Sequence, residues 1–179
     1  MDALEAIFTR RSIRKYTEEP VTAEEEKILL KAAMCAPNTV NFRDWAFVVI
    51  REKEMLQKIA DALTPNAPAL PSTPMAIVVC GDLDLTIKSV EEYWIQDCSL
   101  AAENLLIAAN AIGLGAVWYG CHPQWNKVSA ISKLLNLPRP IVPLCVIGVG
   151  HPAEEKPDVS DERYEAHKIH YETWETKEK

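Results

Sequence analysis

Three arginines and a serine stand within five residues near the start of the chain, at Arg10, Arg11, Ser12 and Arg14. Arginine makes bidentate, permanently charged contacts with phosphate, and a serine hydroxyl adds a short hydrogen-bond donor. The chain as a whole is acidic, with a net charge of -7 at pH 7, so a local concentration of positive charge needs a local reason. The segment predicts an anion-binding site. The alternative is that the arginines only stand at the solvated end of a helix, where positive charge is favoured.

The overall composition limits the classes of partner. An acidic chain lacks the basic face that displaces counterions from nucleic-acid phosphates, so we expect no nucleic-acid partner. No apolar run reaches the roughly 18 residues that span a bilayer, and the N-terminal residues show no signal-peptide pattern. The five cysteines lie mostly in apolar runs, which is typical of buried thiols in a reducing compartment. We therefore expect a cytoplasmic protein, without membrane contact and without a bound metal.

Helices and short strands that alternate along the chain must position the arginine segment. Residues Thr22–Glu25 form a capping box at the start of a helix that stops near Pro37. Periodic apolar residues predict further helices around 56–63, 92–111 and 128–135, and apolar runs predict strands at 45–50, 75–80, 116–119 and 142–149. In a chain of 179 residues, this pattern predicts a single α/β or α+β domain with both faces of the sheet covered.

Two segments fall outside this pattern. Residues 64–74 contain four prolines, so they predict a long functional loop rather than a regular helix. Residues 151–179 form a polar tail with three spaced aromatic side chains, at Tyr164, Tyr171 and Trp174. Such a tail either frays or covers another surface, and its aromatic content favours the surface of a partner subunit.

Four motifs follow one another in a fixed order: Arg10–Arg14, Ala36–Asn41 followed by Trp45, Gln96–Asn104 running to Gly113–Trp118, and Gly148–Pro152. Together, over nearly the whole chain, they resemble the FMN-dependent nitroreductase family in its short form. The resemblance implies an α+β fold with a nitroreductase-like mixed β-sheet flanked by helices. It also implies that residues 1–179 form one FMN-binding domain of an intertwined homodimer, whose 151–179 tail wraps the partner subunit.

The resemblance assigns basic residues to the polar end of the flavin. Arg10 and Ser12 match the family's phosphate and ribityl contacts, with Arg11 alongside. Arg14 matches the cation near the flavin N1–O2 edge. The late basic residue that closes on the phosphate is matched by Arg163, with Lys156 as the second candidate for the same role.

Two further groups match contacts to the flavin ring. The loop that reaches the flavin from the other subunit is matched by Asn38, Thr39 and Asn41. The strand end that lies along the isoalloxazine face, and offers a backbone N–H towards N5, is matched by Trp118, Tyr119, Gly120 and Cys121. An ordinary place in the sheet core is the alternative for the two aromatic residues, and we interpret Cys121 as a small space-filling residue.

The activity that the resemblance implies is a ping-pong cycle. NADH or NADPH reduces FMN and leaves, and an electron-poor acceptor such as a nitroaromatic or a quinone then takes the electrons. No catalytic side chain is required, because the cofactor carries the chemistry. A flavin-binding carrier or sensor with little turnover is the alternative from another class; a specialised reduction, such as dehalogenation or enoate reduction, is a third hypothesis.

The chain departs from the family pattern at Arg43-Asp44-Trp45, where the family usually has Gln-Pro-Trp. We interpret Arg43 and Asp44 as a surface ion pair, with extra positive charge near the site as the alternative reading of Arg43. Buried polar groups that satisfy nearby backbone are expected at Asp97 and Asn104. With no room for the lid helix of longer relatives, candidates for substrate contact are the 64–74 loop with its Asn66, Tyr93 and Trp94.

Overall fold

The described part of the chain, residues 1–86 and 92–174 of a computed structural model, contains five α-helices and four β-strands. The helices are α1 (Ala3–Thr9), α2 (Ala23–Met34), α3 (Lys53–Leu63), α4 (Tyr93–Ala111) and α5 (Trp125–Leu134). The strands are β1 (Trp45–Ile50), β2 (Met75–Asp82), β3 (Gly115–Gly120) and β4 (Ile141–Gly150). The structure therefore confirms the predicted elements and the α+β class.

The strands form one sheet in the order β1-β2-β4-β3, and every neighbouring pair is antiparallel. The expectation of a mixed sheet is therefore wrong for the described residues, where the only parallel pairing is an isolated bridge between Ser12 and Ala116. The connections through α3 and α5 each join antiparallel neighbours, so each begins and ends at the same end of the sheet. A parallel crossover would instead carry the chain to the opposite end.

The core lies between the two central strands and α4. Residues 75–80 of β2 and 143–149 of β4 are buried on both faces, as their continuous apolar sequence requires. The capping box of α2 is present, with the backbone N–H of Glu25 donating to Thr22 and the Thr22 N–H donating to Glu25. This helix packs against α4, which lies against the sheet and is buried along most of its length.

The segment that follows α1 is tied to the edge of the sheet and to the start of the tail. The Ile13 N–H donates to the Ala116 carbonyl of β3 at 3.1 Å. Further along, the Thr17 N–H donates to the His151 carbonyl and the Ala153 N–H donates to the Lys15 carbonyl, both at 2.9 Å. A Cβ at Gly115 would stand 2.7 Å from the Ile13 side chain, so a glycine is needed for this close approach.

The proline-rich residues 64–74 form a packed connection. Residues Leu70–Ser72 make a turn of 3-10 helix, and Ala67, Leu70 and Thr73 are buried. Asn66 is exposed, and its backbone N–H donates to Leu63. The loop is thus held in place by apolar contacts beneath α3.

Large apolar side chains remain exposed at both ends of the chain. Tyr164, Tyr171 and Trp174 of the tail are each more than 70% exposed, at 72%, 77% and 78%. Leu4, Ile7 and Phe8 are exposed on α1, whose only buried residue is Ala6. The wrapping of a partner subunit stays a prediction, and these side chains are the ones it would cover. None of the helices in the described part of the chain is long and apolar enough to cross a bilayer.

Candidate functional site

A groove of about 590 Å³ brings together two arginines from opposite ends of the chain. Arg10 and Arg163 both line it, with Ile7, Phe8, Glu103, Ser160, Asp161 and Tyr164 completing its wall. The Nε of Arg10 lies 3.2 Å from Oε1 of Glu103, which orients the guanidinium. Two guanidiniums and a tyrosine hydroxyl suit an anion with several acceptor oxygens, such as a phosphate monoester, while the carboxylates of Glu103 and Asp161 in the same wall offset part of the positive charge.

Local capping fixes the place of Arg10. The helix α1 starts at Asp2, whose side chain accepts the backbone N–H of Glu5 at 2.9 Å. At the other end, the side-chain amide of Asn110 on α4 donates to the Ala6 carbonyl at 3.0 Å and to the Thr9 hydroxyl at 2.9 Å. Arg10 follows directly as the extended residue that ends the helix. The C-terminal end of α1 is therefore attached to α4, and this attachment fixes the position of Arg10.

The structure does not bring Arg11 and Lys156 to this groove. Both line a separate cleft of about 340 Å³, between the arginine segment and the start of the tail. The Arg11 guanidinium donates to the Pro157 carbonyl, and Lys156 lies 2.8 Å from Glu154. Arg11 of the predicted cofactor set therefore holds the tail against the arginine segment, and Lys156 pairs with Glu154 within the tail.

Glu154 is the acceptor around which this contact forms. Its Oε1 accepts the backbone N–H groups of Arg14 at 2.6 Å and Lys15 at 3.2 Å. The hydrogen bond from Lys156, followed by the one from the Arg14 N–H, lowers the pKa of Glu154 to about 2. The Arg14 guanidinium itself is exposed, 3.5 Å from the Ser12 carbonyl. Ser12 pairs with Ala116 at the edge of β3, so its position follows from the sheet.

The end of β3 presents two kinds of residue, because side chains alternate between the faces of a strand. Trp118 and Gly120 are partly accessible, whereas Tyr119 and Cys121 are buried. The Cys121 N–H already donates to the Leu144 carbonyl at 3.0 Å, so a backbone donor towards a flavin N5 must come from another residue of this strand end. Burial of Cys121 among apolar neighbours raises the pKa of its thiol to about 12 and makes it unreactive.

The Tyr119 hydroxyl is a buried polar group with no hydrogen-bond partner among the described residues. Burial raises the pKa of Tyr119, and the charge of the nearby Arg14 partly opposes that rise. The neighbouring Tyr16 hydroxyl, in contrast, donates to the Ile13 carbonyl at 2.5 Å. An uncompensated hydroxyl beside an arginine is what a site for a polar ligand leaves when protein atoms alone are counted.

The Asn38–Asn41 loop lies before β1 and is fixed by its own hydrogen bonds. The Asn38 side-chain oxygen accepts the Arg43 N–H at 3.0 Å, and the Asn41 side-chain oxygen accepts Nε of Arg43 at 3.1 Å. Thr39 is bound to Asp97 of α4 through its backbone N–H at 2.9 Å and its hydroxyl at 3.2 Å. With each amide oxygen engaged, the amide nitrogens of Asn38 and Asn41 are the groups left to donate to a ligand.

The interpretation of Arg43 and Asp44 as a surface ion pair is wrong. Asp44 is 1% exposed, and its carboxyl lies against that of Asp97 rather than against Arg43. Burial, together with the charge of Asp97, raises the pKa of Asp44 to about 6. Asn104 satisfies the backbone as expected, since its side-chain amide donates to the Ala32 carbonyl at 3.1 Å.

Of the expected substrate contacts, Trp94 is excluded by its burial. Its ring covers Gly81, where a Cβ would stand 2.3 Å from the indole. Tyr93 is exposed and stays a candidate. Ser160 and Tyr164 also line the groove, and no sequence pattern marks them except their proximity to Arg163.

The predicted site residues divide between the two edges of the sheet. Ser12 and Trp118 belong to the β3 edge, and the Asn38–Asn41 loop leads into β1 at the other edge. Two strands lie between these edges, which are therefore about 14 Å apart at the usual strand spacing. One subunit thus presents the two groups on separate sides.

Comparisons with known proteins agree with one another. A model of the nitroreductase family matches residues 7–74 and 64–151. A relative from Methanothermobacter thermautotrophicus, provisionally named NADH dehydrogenase/NAD(P)H nitroreductase, is 43% identical over 97% of this chain and 88% of its own length. A solved structure from Bacteroides thetaiotaomicron with the same provisional name has a TM-score of 0.89 at 40% identity, covering 96% of this chain and 98% of that one. An FMN-dependent nitroreductase from Clostridium difficile R20291 has a TM-score of 0.88 at 29% identity, covering 96% and 99%.

Proposed function

The chain belongs to the nitroreductase family, and we propose that it binds FMN and uses NAD(P)H to reduce electron-poor acceptors such as nitroaromatics or quinones by a ping-pong mechanism. The names of the relatives, NAD(P)H nitroreductase and FMN-dependent nitroreductase, support an NAD(P)H-dependent flavin oxidoreductase. The residues that bind the cofactor, the homodimer and the acceptor class are parts of the same proposal.

The groove fits the phosphate end of FMN. Arg10 and Arg163 supply two permanent positive charges, of which Arg10 is oriented by Glu103, and Tyr164 adds a hydroxyl donor. A monoester phosphate carries nearly two negative charges and three acceptor oxygens, which match this donor set. The volume of about 590 Å³ lies in the usual range of small-molecule sites.

The division of the site between two sheet edges supports a homodimer. In one subunit the Asn38–Asn41 loop is bound to α4 through Thr39 and leads into β1, with β2 and β4 between β1 and β3. A second copy, related by a two-fold axis, would place its loop beside the first copy's groove, and the reverse contact would follow by symmetry. Ile7 and Phe8 of α1 line that groove, and together with the exposed Leu4 of the same helix they supply apolar surface for such a contact.

Each group of residues then has a separate task. Bound FMN supplies the acceptance and donation of hydride, so the chain needs no nucleophile or general base. Arg10 and Arg163 hold the phosphate, and Arg14 places a positive charge where reduction of a flavin adds negative charge. The amide nitrogens of Asn38 and Asn41 orient the ring from the partner subunit. The partner's surface also excludes bulk water, which strengthens every charge interaction inside the site.

The meeting of Arg10 and Arg163 in one groove is the observation that carries the proposal. Titration with FMN and with riboflavin, which lacks the phosphate, tests it directly, and we expect FMN to bind at least about tenfold more tightly. Anaerobic NADH or NADPH should then bleach the flavin absorbance, and a quinone or nitroaromatic should restore it. A protein that binds FMN without being bleached would instead be a carrier or sensor, and one that binds neither flavin would refute the assignment.

A further inference from the structure

Asp97 binds Thr39 with both of its carboxylate oxygens. The Thr39 N–H donates to Oδ2 at 2.9 Å, and the Thr39 hydroxyl donates to Oδ1 at 3.2 Å. Asp97 is 3% exposed and lies in the second turn of α4, which is the best-packed helix of the domain. A hydrogen bond to a charged acceptor in a buried place is stronger than one between neutral groups. Asp97 therefore attaches the loop to α4 through Thr39.

The loop beyond Thr39 has an unfavourable backbone that needs such an attachment. Val40, Asn41 and Arg43 have φ angles of 48°, 62° and 54°, in the left-handed region where a β-branched residue is strained. Val40 is 76% exposed, so no packing of its side chain within the subunit stabilises this conformation. Fixed hydrogen bonds must do so instead. Those hydrogen bonds run from Arg43 to the two asparagines and from Thr39 to Asp97.

Asp44 lies against Asp97 from the other end of the loop. Its backbone carbonyl accepts the Asp82 N–H of β2 at 2.7 Å, which ties the end of the loop to the sheet. Its Oδ1 has no hydrogen-bond partner in the described part of the chain. The titratable groups that face it are Asp97 and Cys98 of α4 and Asp82 of β2. Of these, the charge of Asp97 affects the pKa of Asp44 most.

We propose that Asp97 is a positioning residue for the flavin site: it fixes the Asn38–Asn41 loop in the conformation that reaches the cofactor, and Asp44 supports it from behind. This inference rests on the proposed function, and it assigns a role to a carboxyl pair that touches neither cofactor nor substrate. The two members act differently. Asp97 accepts both donors of Thr39, whereas Asp44 contacts the loop only through Asp97 and its own backbone.

A carboxylate at position 97 accepts both donors of Thr39 in charge-assisted hydrogen bonds. An asparagine there has one oxygen for the backbone N–H, and its NH2 can meet the Thr39 hydroxyl only if that hydroxyl turns to accept, so two charge-assisted hydrogen bonds become two weaker neutral ones. At position 44 an asparagine is compatible, because its NH2 can donate to Asp97 as a protonated carboxyl does. Above about pH 6, where Asp44 is ionised, Asp97→Asn and Asp44→Asn each remove one negative charge from the same pair. A difference between them therefore reports on the contact with Thr39 and not on the loss of one charge.

The first experiment compares FMN binding by the full-length wild type and the two variants, by flavin fluorescence quenching. We expect Asp97→Asn to weaken FMN binding at least about tenfold and Asp44→Asn to change it less than about twofold. Equal losses in both variants, or no loss in Asp97→Asn, would overturn the positioning role. A wild-type protein that takes up no FMN refutes the proposed function instead, and the second experiment then decides the positioning role alone.

The second experiment measures hydrogen exchange of residues 36–45 in the protein before FMN is added. The Thr39 amide should be protected in the wild type and in Asp44→Asn, and should exchange at least about tenfold faster in Asp97→Asn. Should Asp97→Asn fail to fold, Thr39→Val and Thr39→Ser give the same comparison from the loop side. The valine variant loses the hydroxyl donor and should expose residues 36–45 to exchange, whereas the serine variant keeps it. Unchanged protection in the valine variant would overturn the inference.

Discussion

Arg10 and Arg163 line the same groove although they come from opposite ends of the chain. Arg10 is directed by the attachment of α1 to α4 through Asn110, and Arg163 by the short turn Asp161–Arg163 in the tail. Between them, the tail is held against the arginine segment by the contacts of Glu154 and Arg11. The groove thus forms only where both ends of the chain are in place.

The first prediction concerns this groove. Arg10→Ala and Arg163→Ala should each weaken FMN binding about 10- to 150-fold, because a hydrogen bond to a charged group contributes about 1.5–3 kcal/mol. Isothermal titration of the flavin-free protein measures this loss. Arg139→Ala is the control of equal charge, since Arg139 is exposed and lines neither cleft. An Arg139→Ala variant as defective as Arg10→Ala would contradict the assignment of Arg10 to a phosphate site.

The second prediction separates binding from redox tuning at Arg14. Its backbone N–H makes the hydrogen bond to Glu154, so that contact survives the substitution Arg14→Ala. The exposed guanidinium is lost, and with it the positive charge that favours the reduced flavin. We expect the flavin reduction potential to fall and reduction by NAD(P)H to slow, while FMN binding weakens only modestly. Arg10→Ala, once saturated with FMN, should have a nearly unchanged potential; equal small effects would count against both roles.

The third prediction concerns the pH dependence of stability at Asp44. Its pKa is raised from 3.8 to about 6, so this carboxyl contributes stability at low pH that is lost as the pH rises through about 6. The substitution Asp44→Asn removes that loss. Relative to the wild type, its free energy of unfolding should therefore increase between pH 4.5 and pH 7.5, on the order of 1 kcal/mol or a few °C in Tm. The exposed Asp84→Asn is the control of equal charge, and a parallel pH profile for both variants would disprove the prediction.

The fourth prediction concerns the tail. Tyr171 and Trp174 are almost fully exposed in the subunit, so we expect a partner subunit to cover them. Deleting residues 160–179 should weaken both dimer formation and FMN retention, because the deletion also removes Arg163. The double variant Tyr171→Ala, Trp174→Ala keeps Arg163 and should weaken the dimer, as measured by sedimentation at decreasing concentration, with FMN lost only to the extent that the dimer dissociates. A truncated protein that stays dimeric and retains its flavin would show that the tail is dispensable.

Periodicity and motif order were sufficient to predict four of the five helices of the described residues, the four strands and the family. They were not sufficient to predict whether neighbouring strands are parallel or antiparallel, because an apolar run such as Val142–Val149 is compatible with either arrangement. The arrangement depends on the end of the sheet at which each connection meets the next strand. The sequence of residues 64–74 did not show that this packed segment brings the chain back to the end of the sheet that it left. Of the residues that line the groove, Arg10 and Arg163 were predicted, and only through the resemblance to the nitroreductase family.

The carboxyl pair shows a different limit. Asp44 stands beside Arg43 in the sequence, and adjacent opposite charges usually form a surface pair. Because Val40, Asn41 and Arg43 adopt left-handed backbone angles, the chain turns so that Asp44 faces the interior. Single-sequence patterns carry little information about such angles outside glycine. The partner of Asp44 is also Asp97, too far away in sequence for any spacing rule to reveal it.

The five thiols differ in exposure, so that one of them can be labelled selectively with a fluorescent dye. Cys80, Cys98, Cys121 and Cys145 are buried, and burial raises the pKa of each thiol, which leaves them almost without thiolate at neutral pH. Cys35 is exposed, at the end of α2 and just before the Asn38–Asn41 loop. A maleimide dye should therefore label one native position per subunit, without any engineered cysteine. A dye at Cys35 would report, by its fluorescence, when that loop is covered by a second subunit.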